Sequence, residues 1–244
     1  SVYDPRVMKQ FLSGLTASIP IVSGYVPVAI TFGLIVRSGG LSVLDAGLAS
    51  VLVFAGAAQF LAAQMFLSGA GVVQIVVSGW LLNLRHLLMS SVVADHLDRR
   101  TSLPARSALA FGITDEVFGV AGRKATAGES IKPAFLAGLE LGAYLAWVGG
   151  TVVGAVAGNV LPPSVRDAMG MALYALFAAL LAGLIRDAAA GSRRRKMIFS
   201  ALTAGGLNWL LRGGLGMDAG MAFPLAMVAA AIVFSTRDAG ETDR

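Results

Sequence analysis

The feature that constrains this chain most is an arginine and a histidine set in the middle of an apolar run. From about Val72 to Ala94 the sequence is mainly hydrophobic, and at its centre Leu81 to Ser91 reads Leu-Leu-Asn-Leu-Arg-His-Leu-Leu-Met-Ser-Ser. A run of roughly 20 residues is long enough to cross a bilayer. Asn83, Arg85 and His86 therefore fall near the middle of a membrane helix. An arginine at that depth costs about 2.5–3.5 kcal/mol on insertion scales. It is kept only where a partner or a water-filled cavity offsets the cost, so the rest of the chain is expected to supply both.

Composition enters here as a check. Of 244 residues, 56% are hydrophobic and 14% charged, and mean hydropathy is +0.75. A soluble domain carries about 25% charged residues, so this chain lacks the polar surface to face water on all sides. The expected fold is an all-α integral membrane protein held in a lipid bilayer. The formal net charge is +5, and the positive residues lie between apolar runs. That is the positive-inside pattern of cytoplasmic loops, not a nucleic-acid-binding face. The absence of cysteine excludes disulfides, thiolate metal sites and a cysteine nucleophile. Ser1 to Gln10 is polar and mixed in charge, and the first apolar run is full length, so that run is expected to act as the targeting signal itself.

Phe11 to Val36 reads as the first span, with Gly24-Tyr25-Val26-Pro27 near its middle. Proline removes a backbone donor and crowds the preceding turn. Two outcomes stay open there: a simple kink, or an unwound segment whose free backbone groups line a cavity. After a Gly-rich turn at Arg37 to Leu41, Ser42 can cap a second span over about Leu44 to Leu67. Within it, Phe54-Ala-Gly-Ala-Ala-Gln-Phe60 offers close backbone approach and the polar Gln59, as interhelical glue or as a ligand contact. In the third span, at about 100° per residue, Asn83 and His86 share a face and Arg85 sits one step round from His86.

Beyond a charged loop at Asp95 to Arg106, the segment Ser107 to Gly122 is short for a span and holds Thr114-Asp115-Glu116 at its centre. These acids are the obvious counter-charges for Arg85 and His86. Basic residues flank the segment on both sides, which favours a re-entrant or half-length element returning to the side it left. Ala134 to Leu161 follows, with Glu140 near its start and Gly150, Gly154 and Gly158 forming a close-packing strip. Val165 to Ile185 reads as a sixth segment, Met197 to Leu215 as a seventh with Asn208 and Arg212 one turn apart, and Ala219 to Ser235 as the last. Arg193 to Lys196 marks a cytoplasmic loop.

The halves of the chain resemble each other. Phe11-Leu-Ser-Gly-Leu15 matches Phe135-Leu-Ala-Gly-Leu139, Ser42-Val-Leu-Asp-Ala46 matches Ser164-Val-Arg-Asp-Ala168, and Leu82-Asn83 matches Leu207-Asn208, at offsets of 124, 122 and 125 residues. The expected plan is seven to eight transmembrane helices in two three-helix repeats, about 11–94 and 134–215. A linking segment at about 105–122 joins them, and a terminal helix lies at about 219–235. If the Asp115 segment does not cross, the repeats are inverted, with the cavity between them near the midplane.

Gly24 to Gly33, Phe54 to Phe60, Leu82-Asn-Leu-Arg-His-Leu-Leu88 and Thr114-Asp-Glu116 together resemble the AzlC family, the large subunit of bacterial branched-chain amino acid exporters. The resemblance implies a multi-pass protein of the bacterial cytoplasmic (inner) membrane. It implies efflux of valine, leucine, isoleucine and also methionine, driven by the proton gradient, with a small AzlD-type membrane subunit as partner. Chemically, a zwitterion needs a cationic or dipolar site for its carboxylate, such as Arg85 or a broken-helix end near Tyr25 to Pro27. It also needs an acid, Asp115 or Glu116, for its ammonium or for a coupling proton, and His86 can join a proton relay. Gln59, Glu140, Asn208 and Arg212 complete the candidate pathway. No cofactor is expected, and no enzyme: the sequence has no His-Glu-x-x-His, no nucleotide loop and no Ser/His dyad on facing helices. The alternative is a channel-like or structural membrane subunit for small zwitterions, without ion coupling.

Overall fold

The computed structural model describes residues 4–158 apart from 99 and 127, residues 192–217, and residues 222, 225, 226, 229 and 230. Among these, every regular element is a helix: α1 (Pro5–Ala17), α2 (Ile19–Ser38), α3 (Val43–Leu52), α4 (Gly56–Leu67), α5 (Val72–His96), α6 (Leu103–Phe111), α7 (Asp115–Thr126), α8 (Pro133–Ala157) and α9 (Ser192–Gly213). Three of them, α2, α5 and α8, are long and apolar enough to cross a bilayer. The expected span over Val165 to Ile185, the Ser164 to Ala168 half of the second sequence match and most of the terminal helix lie outside the described residues. The chain divides into two compact units, Ser1–Gln59 with Asn83–Leu173, and Phe60–Leu82 with Tyr174–Arg244.

The first unit is organised around α8, against which α1, α2, α3, α6 and α7 pack. Small residues set the closest approaches. A Cβ on Gly14 would run into the Phe135 carbonyl, and one on Gly138 into the Phe11 carbonyl; Gly142 leaves room for the Ser18 hydroxyl. Further along, Gly150 faces Ala29, Gly154 faces the Ile30 carbonyl and Gly158 faces the Arg37 side chain. The glycine strip of α8 is thus filled by α2. The paired numbers rise together, so α1 and α2 run parallel to α8. An inverted repeat requires the matched helices Phe11–Leu15 and Phe135–Leu139 to run antiparallel; here they run parallel.

The first expected span is two helices. Pro20, in the first turn of α2, has no N–H to continue the α1 ladder. The helix is interrupted at Ser18, whose hydroxyl donates to the Leu15 carbonyl at 2.7 Å. At Pro27 the helix runs on, with no unwound segment. The interruption lies instead in the next segment, where Val53 to Ala55 is non-helical between α3 and α4. Ser42 and Asp45 form a capping box on α3. The Tyr144 hydroxyl donates to the freed Val51 carbonyl at 3.0 Å near the end of α3, and Ala55 accepts the Gln59 N–H at 3.0 Å. Gln59 Nε2 also reaches back to Ser50 Oγ at 3.1 Å. A contact across nine residues at that distance means the chain turns at this break. The stretch from Leu44 to Leu67 is two helices, not the continuous span that its hydropathy implied.

The Asp115 segment is also broken. Its two helices, α6 and α7, are separated by Gly112-Ile113-Thr114. The ends of the segment meet: Leu97 bridges Ile131, Ile131 N–H donates to His96 O at 2.8 Å and Asp98 N–H to Ile131 O at 3.2 Å. The chain leaves and returns at one place, beside the N-terminal end of α8. In the second unit, α4 ends in a tight turn with Gly69 at φ +78°, closed by Ala70 N–H donating to Met65 O at 2.9 Å. The second unit also holds α9.

Candidate functional site

The two helix breaks meet halfway along α8. Phe54, from the α3–α4 break, packs edge-on against Tyr144 at 5.2 Å and Tyr25 at 6.3 Å, and lies 6.5 Å from Phe111 beside the α6–α7 break. Trp147 stands edge-on to Tyr25 at 5.2 Å. Helix breaks leave backbone groups unpaired, and this cluster of rings stands beside both of them.

The start of α7 gathers the charges. Thr114 accepts the Val117 N–H at 3.3 Å, the geometry of an N-cap, and Asp115 and Glu116 occupy the first helical turn. Acids there complement the positive end of the helix dipole. From α5, Arg85 Nη2 pairs with Asp115 Oδ2 at 2.9 Å, with the two side chains 32% and 38% exposed. From α2, the Tyr25 hydroxyl donates to Glu116 Oε2 at 2.5 Å and lies 2.8 Å from Thr114 Oγ1. His86 sits within electrostatic reach of Arg85 and Asp115. On α5, Arg85 and His86 turn away from the exposed stripe of Val76, Trp80 and Leu87. Asn83 Oδ1 and Arg85 Nε are buried with no hydrogen-bond partner among the described residues.

The structure therefore brings Tyr25, Arg85, His86, Asp115 and Glu116 into one cluster. Pro27 is exposed on α2 and makes no part of it. Gln59 has both ends of its amide occupied: Oε1 accepts the Trp147 Nε1–H at 2.6 Å, while Nε2 donates to Ser50, which bonds Thr151 at 2.8 Å. That is the glue reading of the residue. Glu140 is 7% exposed, and its Oε1 has no partner among the described residues. Asn208 and Arg212 lie on α9 in the second unit, where Asn208 Oδ1 is buried with no partner among the described residues. Sequence reasoning missed Thr114 as a cap, and with it the helix start, although a threonine followed by two acids is a helix-start signal. It also missed Trp147 and Tyr144, which no local spacing marks.

Three helices long and apolar enough to cross a bilayer, two helix breaks and a charged cluster beside them are the features of a multi-pass helical membrane protein. The chain belongs to the AzlC family: the family described as AzlC protein matches residues 20–161. It is 44% identical over 173 residues to an uncharacterized membrane protein of Archaeoglobus fulgidus, covering 70% of this chain and 74% of that one. It is 33% identical over 175 residues to the inner membrane protein YgaZ of Escherichia coli, covering 70% and 71%. It is 26% identical over 154 residues to the branched-chain amino acid transport protein AzlC of Bacillus subtilis, covering 63% and 60%. No solved structure matches.

Proposed function

We propose that this chain is the large subunit of a secondary exporter that moves valine, leucine, isoleucine and methionine out across the bacterial cytoplasmic membrane. It works in exchange for protons and together with a small AzlD-type subunit. The carrying observation is the Arg85–Asp115 pair, 2.9 Å apart and about one-third exposed at the tip of a broken hairpin. A zwitterion can replace such a pair contact for contact: its carboxylate takes Arg85, its ammonium takes Asp115, and neither protein charge is left alone in a low-dielectric site. Tyr25 holds Glu116 and fixes the first turn of α7 in place. The aromatic residues at the tips offer an apolar wall for the side chain. One methylene in such a wall is worth only about 1–3 kcal/mol, so broad selectivity among branched chains is the natural outcome.

Both breaks favour the same topology. The meeting of Leu97 with Ile131 favours a re-entrant α6–α7. The turn at Val53 to Ala55, closed by Gln59 on Ser50, favours a re-entrant α3–α4. Between α2 and α8 that leaves α5 as the single crossing, which is what parallel α2 and α8 require. Arg6, Lys9, Lys124 and Lys132 line one pocket at the N-terminal end of α8, and the positive-inside bias makes that end cytoplasmic. In this reading the two repeats, about 11–94 and 134–215, are parallel.

The test is counterflow of radiolabelled leucine into proteoliposomes preloaded with unlabelled leucine, with and without the small subunit. Uptake that saturates and is competed by valine and isoleucine supports the proposal. Wild-type protein that catalyses no leucine counterflow in either form sinks it. Leucine flux that ignores a collapsed proton gradient moves the reading to an uncoupled pore.

A further inference from the structure

Of the three acids in the helical core of the first unit, two are engaged. Asp115 is paired with Arg85, and Glu116 accepts from Tyr25. The third, Glu140, is 7% exposed. Its Oε1 is buried with no partner among the described residues. Its carboxyl group is seated directly on Gly112: a Cβ at that glycine would come within 2.5 Å of both the carboxyl carbon and Oε2. Gly112 is the C-cap of α6, so the carboxyl group lies at a helix C-terminus, among carbonyls that lack intrahelical donors and at the negative end of the dipole. A carboxylate there would be an unpaired charge beside a field of like sign. A carboxylic acid has an O–H to donate and no charge to bury.

The charged groups on the elements packed against α8 are committed elsewhere or sit at the ends. On α1, Arg6 and Lys9 line the basic pocket. On α2, Tyr25 serves Glu116, and Arg37 donates to the Leu41 carbonyl at the far end. On α3, Asp45 is closed in its capping box with Ser42. On α6, Arg106 donates to the Thr101 carbonyl. On α7, Lys124 pairs with Glu129, and Arg123 lies in the last turn. None neutralises Glu140.

We infer that Glu140 is the proton-carrying group of this protein: it holds a proton in the conformation seen here and releases it when the Gly112–Thr114 break shifts and exposes the carboxyl group to water. The step is a plain ionisation. The O–H bond of Glu140 breaks, the electron pair stays on the carboxylate, and the proton passes to water; the reverse occurs on the opposite side of the cycle. Because Thr114 and Asp115 follow Gly112 directly, movement of the same break that frees the proton also shifts Asp115 against Arg85. Proton release and substrate binding are thereby tied to one element. The inference deepens the exporter reading and rests on it for the coupled substrate, while the protonation itself can be read without any substrate.

Two measurements on the full chain in proteoliposomes decide it. In infrared difference spectra between neutral and strongly alkaline pH, wild type should lose a protonated-carboxyl C=O band that Glu140→Gln lacks. The same band in both proteins, or in neither, overturns the inference, and this readout stands even if leucine is not transported. In transport, a one-unit pH gradient coupled one-to-one supports about tenfold accumulation. Glu140→Gln, locked neutral, should keep leucine counterflow but show no accumulation in response to the gradient. Gradient-driven accumulation equal to wild type overturns the role of Glu140. Absent counterflow in wild type, with the infrared band present, removes the exporter reading and leaves the proton site standing.

Discussion

Neutralising either member of the Arg85–Asp115 pair should destabilise the protein by an amount the geometry bounds. At 2.9 Å and an effective dielectric of about 20, the bare attraction is about 6 kcal/mol. The side chains are 32% and 38% exposed, so water screens the pair and part of the attraction offsets desolvation. Exposed pairs couple by about 0.2–1 kcal/mol and breaking a buried pair costs about 3–5 kcal/mol; this one should couple by about 1–3 kcal/mol. The assay is a double-mutant cycle of Arg85→Gln and Asp115→Asn, read from unfolding in detergent micelles. Each single variant leaves one charge alone, so the double variant should be less damaged than the sum of the singles. Effects that add to within about 0.5 kcal/mol show no coupling and would refute the pairing. In transport the ordering differs. If the pair is what a zwitterion replaces, both singles and the double variant lose leucine counterflow, because restored neutrality does not restore the binding groups. Counterflow at the wild-type rate in Arg85→Gln would remove that residue from the substrate site, whatever the stability cycle showed.

Three further outcomes follow from the packing. Trp147→Phe deletes the Nε1–H that Gln59 Oε1 accepts at 2.6 Å; an unsatisfied buried acceptor costs about 1–3 kcal/mol, and a thermal midpoint equal to wild type in detergent would contradict it. Gly154→Ala drives a Cβ into the Ile30 carbonyl, whereas Gly24→Ala meets nothing within 4 Å; the first should lose about 1–3 kcal/mol by overpacking and the second should be neutral or gain up to about 1 kcal/mol in a helix, an ordering that expression and melting of the two variants check. Outside the membrane, the Arg100 backbone N–H and the Lys132 ammonium hold the Asp98 carboxyl below its usual range. Its stabilising share is complete above the ordinary carboxylate pKa of about 3.9 and is lost as pH falls through the lowered folded value. Asp98→Asn should therefore flatten the acid limb of the stability profile relative to wild type.

Membrane class and the meeting of charges were legible in the sequence, because burial cost makes them so. An arginine in an apolar run demands an acid from elsewhere, and the Asp115 carboxylate is where the demand is met. Ser42 as a cap was legible from its spacing to Asp45. The break between α3 and α4 was not. A hydropathy window passes over Val53 to Ala55 because the residues stay apolar, whereas Thr114 and the two acids after it do mark a helix start. What stabilises the α3–α4 break is long-range: a hydroxyl at position 144 on a carbonyl at 51, and an indole at 147 on an amide at 59. Pairs 88 and 93 residues apart leave no periodic mark. Pro27 drew attention as the evident helix breaker, yet Pro20 is the one beside an interruption, since it sits where a new helix begins.

The same blind spot bears on the orientation expected of the two halves. Treating Leu44 to Leu67 as one crossing and Ser107 to Gly122 as none predicts that the two halves enter the membrane from opposite sides. A turn back in each segment would leave one crossing fewer between them, and the sign would reverse. What the packing fixes is the direction of the helices. Gly142 lies against Ser18, Gly154 against the Ile30 carbonyl and Gly158 against the Arg37 side chain, so the numbers rise in step and α1 and α2 run parallel to α8. The motifs matched at an offset of 124 lie on α1 and α8, so a repeat built on them would be parallel.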